Sequence, residues 1–251
     1  MIFQYVFKDP NPFIKTIELV KDVIEIMNFQ FHRGGIQFQS MDNAHVSLST
    51  AKFSKECFSK MEHYRFMQRG IHLKSLFLYL KCVKNDDELS FSSFKEDEIL
   101  ISVKKKNNEI YTFQLNGVLM EEQSLDIPED VKYDCQFTMN ANDFSEIIKN
   151  MASFGGDVIF SNKQKLLDVS CKDIHGSLQF SKVFPKENMC TLRNVSSSFS
   201  NRYLQMFSKG NNISSKVKVS FSDEEPMCLD YSFFKDSSVK FYLAPKFGED
   251  D

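Results

Sequence analysis

The chain has 251 residues, 42% hydrophobic and 26% charged, with a formal net charge of −3; this suits one large globular domain or two of ordinary size and excludes a uniformly basic surface. No run approaches the ~18 apolar residues of a membrane span, SLFLYL at 75–80 being the longest, and MIFQYVFKDP lacks the features of a secretory leader, so neither membrane nor secretion is expected. Cys57, Cys82, Cys135, Cys171, Cys190 and Cys228 form no C-x-x-C pair and have no His at ligand spacing, which predicts reduced, mostly buried thiols and no metal.

In chain order, NPFIKTIELVKDVIEIM (11–27) reads as a helix with Asn11 as N-cap and Pro12 in the first turn. Its core stripe is Phe13, Ile17, Val20, Ile24 and Met27. GGIQFQSMDNAHVSLST (34–50) alternates apolar and polar residues on both sides of MDNAH, so it reads as two half-buried strands joined by a bend. Asp42 and His45 in that bend are open to two readings: part of a catalytic site, or only a turn whose Asp and Asn bond nearby backbone. KSLFLYLKCVK (74–84) is a second helix, with Leu73, Leu76, Leu80 and Val83 facing inward. KKKNN (104–108) reads as a solvated hairpin loop, and NGVLMEEQSLDIPEDVKYD (116–134) as an acidic interdomain linker with Leu125 and Ile127 set among charges. A third helix, NANDFSEIIKNMASF (140–154), and a fourth, NRYLQMFSK (201–209), lie in the second half.

The chain also repeats itself at an offset of about 130 residues. SMDNAHVSLSTAKF aligns with SCKDIHGSLQFSKV (170–183), matching Ser40 with Ser170, His45 with His175, Ser47 with Ser177, Leu48 with Leu178 and Lys52 with Lys182. Phe13 answers Phe144, SFS at 90–92 recurs at 220–222, and EIYTFQL echoes SVKFYLA. Each half is helix, strands, helix, strands, giving an α+β protein of two similar domains, 1–115 and 135–251, with 116–134 between them. A bend present twice fits a structural or docking role better than a single active site.

Basic residues recur on the outward faces of all four helices: Lys15 and Lys21, then Lys74, Lys81 and Lys84, then Lys149, then Arg202 and Lys209. Lys74 and Lys81, like Arg202 and Lys209, are seven apart and nearly eclipsed on a helix. The excess carboxylates fall elsewhere, in the linker, SDEEP and GEDD. That separation suits contact with phosphates without base reading.

GIQFQSMDNAHVSL, SLDIP and YLAPKFGEDD resemble the proliferating cell nuclear antigen family, the eukaryotic-type DNA sliding clamps, and the resemblance covers the whole chain. It implies the DNA-clamp fold in a head-to-tail homotrimeric ring, with helices lining a central hole and β-sheets outside. The implied partners are duplex DNA bound without sequence preference, DNA polymerase as the factor made processive, a clamp loader, and ligase and flap nuclease through peptides carrying Gln, an aliphatic and two aromatic residues. The implied location is the nucleus, or a viral replication site. Lys15, Lys21, Lys81, Lys149, Arg202 and Lys209 match inner-face positions; Ile14, Leu78 and Glu146 depart from basic residues there. Strand 109–117 would meet 176–183 of the next subunit. The bend becomes one wall of a peptide groove: Met41, His45, Val46 and Leu48, with Leu125, Ile127 and Pro128, Pro226, and Tyr242, Leu243, Ala244 and Pro245. Lys163 matches a ubiquitin-modified position.

The chain offers no nucleophile, base and orienter in a known pattern, no Walker loop and no cofactor motif, so no catalysis and no cofactor are expected. The alternative is a repeated-domain interaction scaffold with a clamp-like fold that does not encircle DNA.

Overall fold

The computed structural model describes residues 1–120 and 131–246, which form two compact units. Among the described residues the first unit holds 1–43, 49–120 and 232–239, and the second holds 44–48, 131–231 and 240–246. The first half of the chain runs β1 (Phe3–Phe7), α1 (Asn11–Val20), β2 (Ile26–His32), β3 (Gly35–Met41), β4 (Ser47–Ser54), β5 (Phe58–His63), β6 (Met67–His72), α2 (Leu73–Leu80), β7 (Glu88–Ser93), β8 (Glu98–Lys104) and β9 (Ile110–Asn116). The second repeats that order: β10 (Cys135–Asn140), α3 (Ala141–Ala152), β11 (Val158–Lys163), β12 (Leu166–Lys172), β13 (Ser177–Val183), β14 (Met189–Thr191), β15 (Ser196–Phe199), α4 (Asn201–Phe207), β16 (Lys216–Phe221), β17 (Met227–Ser232) and β18 (Ser238–Leu243).

The sheet order repeats as well. β5-β1-β7-β8-β9 has its counterpart in β14-β10-β16-β17-β18, and β6-β2-β3-β4 in β15-β11-β12-β13. The fold is α+β with antiparallel sheets, as the period-2 patterns predict. β2 alternates strictly, with Met27, Phe29 and Phe31 inward and Asn28, Gln30 and His32 half-buried on the other face. In the first unit the inward rings join both sheets to α1: Phe3 stacks on Phe31 with centroids 4.4 Å apart, and Phe13 meets Phe7, Phe29, Phe53 and Phe91. The second unit packs Phe144 and Phe199 around Phe160, which also meets Phe221.

Local structure departs from the sequence reading at four places. The first helix stops at Val20, so Ile24 lies in the connection and Met27 in β2, although both remain buried. Period-3.6 spacing continued by chance into a strand whose own inward residues are also apolar. Asn11 is the first helical residue and Pro10 the cap; Asp9 Oδ1 instead accepts from the Asn11 backbone N–H and its Nδ2, both at 2.9 Å. Lys84 lies beyond α2, and Lys209 on a 3-10 turn (Ser208–Asn212) that follows α4. The hairpin is not wholly solvated: Lys105 donates to Asp87 Oδ2 at 2.7 Å and to the Cys82 carbonyl, with its side chain only 17% exposed. It ties the hairpin to the turn after α2.

Cys57, Cys135, Cys171 and Cys228 are buried and free, whereas Cys82 and Cys190 are exposed. Burial pushes the Cys135 and Cys228 thiols up to about 12, so they stay protonated as core residues. Among the described residues no helix is long and apolar enough to cross a membrane.

Candidate DNA-binding faces and peptide-docking surface

Lys15, Lys74, Lys149 and Arg202 sit on helices that pack in pairs, α1 with α2 and α3 with α4, and Lys21 and Lys81 follow α1 and α2 directly. Burial of Phe13, Ile17 and Val20 fixes the inward face of α1 and turns Lys15 outward. Phe144, Ile148 and Met151 do the same for Lys149 on α3, where Asn140 caps the helix by accepting from Asn142 and Asp143 N–H. Lys149 in the last turn also complements the helix dipole.

The two pairs hold their charge differently. Lys15 donates to Glu18 at 2.8 Å, and Lys21, the α1 C-cap, pairs with Asp22 at 2.8 Å with a side chain 18% exposed. The ammonium groups of Lys21 and Lys81 each lie 5.1 Å from the Phe77 ring centroid, which brings them within about 10 Å of each other. Lys74, Lys81 and Lys84 are exposed. In the second unit Lys149, Arg202 and Lys209 are exposed, and among the described residues none has an ion-pair partner. Leu78 is 62% exposed on α2, and Glu146 is exposed on α3. Both positions lower the positive charge of their faces.

The proposed groove residues fall into two groups. His45 is exposed in a left-handed conformation (φ 55°), and the Val46 carbonyl accepts from the Ala244 N–H at 3.0 Å. That bond brings the bend and the C-terminal Tyr242–Pro245 stretch together. His45, Val46, Tyr242, Ala244, Pro245 and Pro226 present surface; Leu48 and Leu243 are buried beneath it. Met41 is half-buried at the end of β3. Leu125, Ile127 and Pro128 lie outside the described residues.

Tyr133 and Cys228 are additions that sequence reasoning missed. The Tyr242 hydroxyl and the Cys228 thiol share a hydrogen bond, and Tyr133 is close enough to feel Cys228, Tyr242 and Glu225. Burial first, then these neighbours, holds both phenols well above the usual tyrosine range, so they act as neutral hydrogen-bonding groups. An isolated Tyr beside an acidic stretch carries no pattern that would have marked it.

The twin bend is held by its own aspartate. Asp173 Oδ1 accepts from His175 N–H at 2.7 Å and from Gly176 N–H at 2.9 Å, with Ile174 93% exposed. Lys163 ends β11 with an exposed amine, next to Gln164 in a left-handed turn.

Among the edge strands of the three sheets, two expose large apolar side chains beside the open edge. β9 pairs only with β8 and exposes Ile110 and Tyr111; β13 pairs only with β12 and exposes Val183. Such edges invite another strand.

Residues 2–125 match the proliferating cell nuclear antigen N-terminal domain, and residues 126–247 its C-terminal domain. The chain is 30% identical over 247 residues to the proliferating cell nuclear antigen of Chaetomium thermophilum, covering 94% of this chain and 95% of that one. It is 26% identical over 253 residues to a probable DNA polymerase sliding clamp of Autographa californica nuclear polyhedrosis virus, covering 100% and 98%. The crystal structure of the Entamoeba histolytica protein superposes with a TM-score of 0.89 at 27% identity, covering 98% of this chain and 99% of that one. With the duplicated topology and the basic helices in place, the chain belongs to the proliferating cell nuclear antigen family of DNA sliding clamps.

Proposed function

We propose that three copies close head to tail around duplex DNA, β9 of each pairing with β13 of the next, so that helices α1 to α4 of every copy face the phosphates. The observation that carries this is the recurrence of outward basic residues on all four helices of a chain whose net charge is −3. Contacts to backbone charge hold DNA without fixing a register, so the ring slides. Partners gain from the tether, which raises their effective concentration at the template.

DNA polymerase docks at the bend, using a peptide with Gln, an aliphatic and two aromatic residues that lies over Val46, Ala244 and Pro245 beside His45; ligase and flap nuclease dock there in the same way. Met41, Leu48, Leu125, Ile127, Pro128, Pro226, Tyr242 and Leu243 complete the groove. A clamp loader opens the ring. Lys163 is the amine assigned to ubiquitin, since it is exposed at the end of a strand. The site of action is the nucleus, or the replication compartment of a virus.

The test is topological. Clamps loaded on closed circular DNA remain bound through gel filtration in 0.5 M salt, about the concentration at which phosphate contacts alone fail, and fall off after one restriction cut. Equal loss before and after the cut would contradict enclosure and favour the scaffold.

A further inference from the structure

The chain leaves the last strand of each unit in the same way. After β9, Val118 exchanges two backbone hydrogen bonds with Gly70 of β6, each 2.9 Å; after β18, the Lys246 N–H donates to the Ser198 carbonyl of β15 at 2.8 Å. β6 and β15 are equivalent edge strands of the duplicated sheets. What holds the crossing differs. At Gly70 the absence of a side chain makes room, since a Cβ there would lie 2.5 Å from Met120 Sδ. In the second unit a charge fastens it: the Lys246 amine lies 2.8 Å from Asp157 Oδ1 and 2.9 Å from Oδ2.

The backbone delivers Asp157 to that place. α3 ends at Ala152, and Gly155 (φ 77°) and Gly156 (φ 70°) then turn the chain into β11 in left-handed conformations that glycine adopts without strain. A Cβ on Gly156 would also lie 2.7 Å from the Lys172 carbonyl oxygen. Val158, the first residue of β11, pairs with Phe199 and Ile159 pairs with Ser198, so Asp157 stands at the end of β15 beside the crossing. Ala244 and Pro245, which present surface beside the bend, are therefore pinned on both sides within the second unit. The Ala244 N–H donates to the Val46 carbonyl at 3.0 Å and the Lys246 N–H to Ser198, while Pro245 between them has no N–H to give.

We propose that Asp157 is a positioning residue for partner binding: its carboxylate clasps Lys246, seats that residue on β15, and so holds Ala244 and Pro245 in the shape a partner peptide meets. This rests on the groove proposed above. Asp157 acts through Lys246, and its contribution is preorganisation. Without the clasp the stretch keeps one firm anchor, and the backbone freedom it regains must be lost again when the peptide binds. Both side chains of the pair are partly exposed, so the effect is modest and screened by salt.

The experiment compares the full-length wild type with Asp157→Ala, Lys246→Ala, the double variant, and the charge swap Asp157→Lys with Lys246→Asp. Amide exchange at Ala244 and residue 246 is read together with the Kd of a synthetic peptide carrying Gln, an aliphatic and two aromatic residues, at low and at high salt. Each single variant is expected to raise the Kd about twofold to fivefold at low salt, the scale of a partly exposed ion pair, and to speed exchange at both amides by a similar factor. The double variant is no worse than either single one, the swap restores most of the affinity, and the differences shrink at high salt. Lys246→Pro, which removes the donor to Ser198 as well as the amine, raises the Kd about fivefold to tenfold. Wild-type affinity in both single variants overturns the proposal, as does weaker binding with unchanged exchange. Additive losses that the swap does not repair also overturn it, because the two charges would then meet the peptide separately. If the wild type itself binds no peptide, the groove fails and the proposal with it; a wild type that binds, with variants that bind equally well, sinks the proposal alone.

Discussion

The two units share one topology and differ in how they handle charge and rings. The first unit ties down part of its positive charge, with Lys15 against Glu18 and Lys21 against Asp22, while the second leaves Lys149, Arg202 and Lys209 exposed. The first also carries the denser aromatic core, in which Phe13 touches four rings where its counterpart Phe144 touches Phe160. Duplication preserved the scaffold; the division lies between Lys15 and Lys21, which are paired, and Lys149 and Arg202, which are exposed as Lys74, Lys81 and Lys84 of the first unit are.

The largest effect should appear in that core. Phe13→Ala is expected to cost about 4 to 5 kcal/mol and Phe144→Ala nearer 3 kcal/mol, because fewer ring contacts surround the second cavity. Denaturant unfolding of the two variants measures the difference, and equal costs would erase this half of the comparison.

Next come the charges. Lys149→Ala with Arg202→Ala should weaken DNA binding about tenfold or more, and Lys15→Ala with Lys21→Ala by about threefold, since a paired cation contributes little net field beyond its partner. Each phosphate contact removed also lowers the salt slope by about 0.9. Equal losses from the two pairs would break the proposed division.

The smallest effect is on pH. Tyr5 donates to the His32 carbonyl at 2.8 Å, and its oxygen accepts from His63 Nδ1 at 2.7 Å. Burial first, then Lys52, lowers the His32 pKa against an opposing hydrogen bond that the imidazole donates to Gln37; burial, then His32 and Arg33, lowers that of His63. Below about 6.5 the unfolded imidazoles take protons that the folded ones refuse, so this stability is whole above that pH and drains away as the pH falls below it. His45 and His175, the histidines of the second unit, are exposed. Amide protection should therefore fall in the first unit before the second as pH drops from 7 to 5.5; a uniform fall would contradict the assignment.

Much of this was legible from residues. The Ser47 and Ser177 match places both serines at the start of equivalent strands, β4 and β13, and SFS falls in β7 and at the end of β16, with Ser222 just beyond it. Period-2 and period-3.6 patterns register what a segment buries, so the repeat and the outward lysines follow from them. The same patterns extended α1 past Val20, because buried strand residues can satisfy helical spacing. They could not show ion pairs such as Lys105–Asp87, which join residues eighteen apart in sequence, nor the empty space at Gly70, which only the approach of Met120 defines.

Enclosure requires a closed ring, and native mass across a dilution series tests it most directly. The account gives a trimer of about 88 kDa, three chains of 29.2 kDa, persisting to nanomolar dilution in the presence of closed circular DNA. A monomer or dimer at micromolar concentration that stays so with loader and DNA would contradict it.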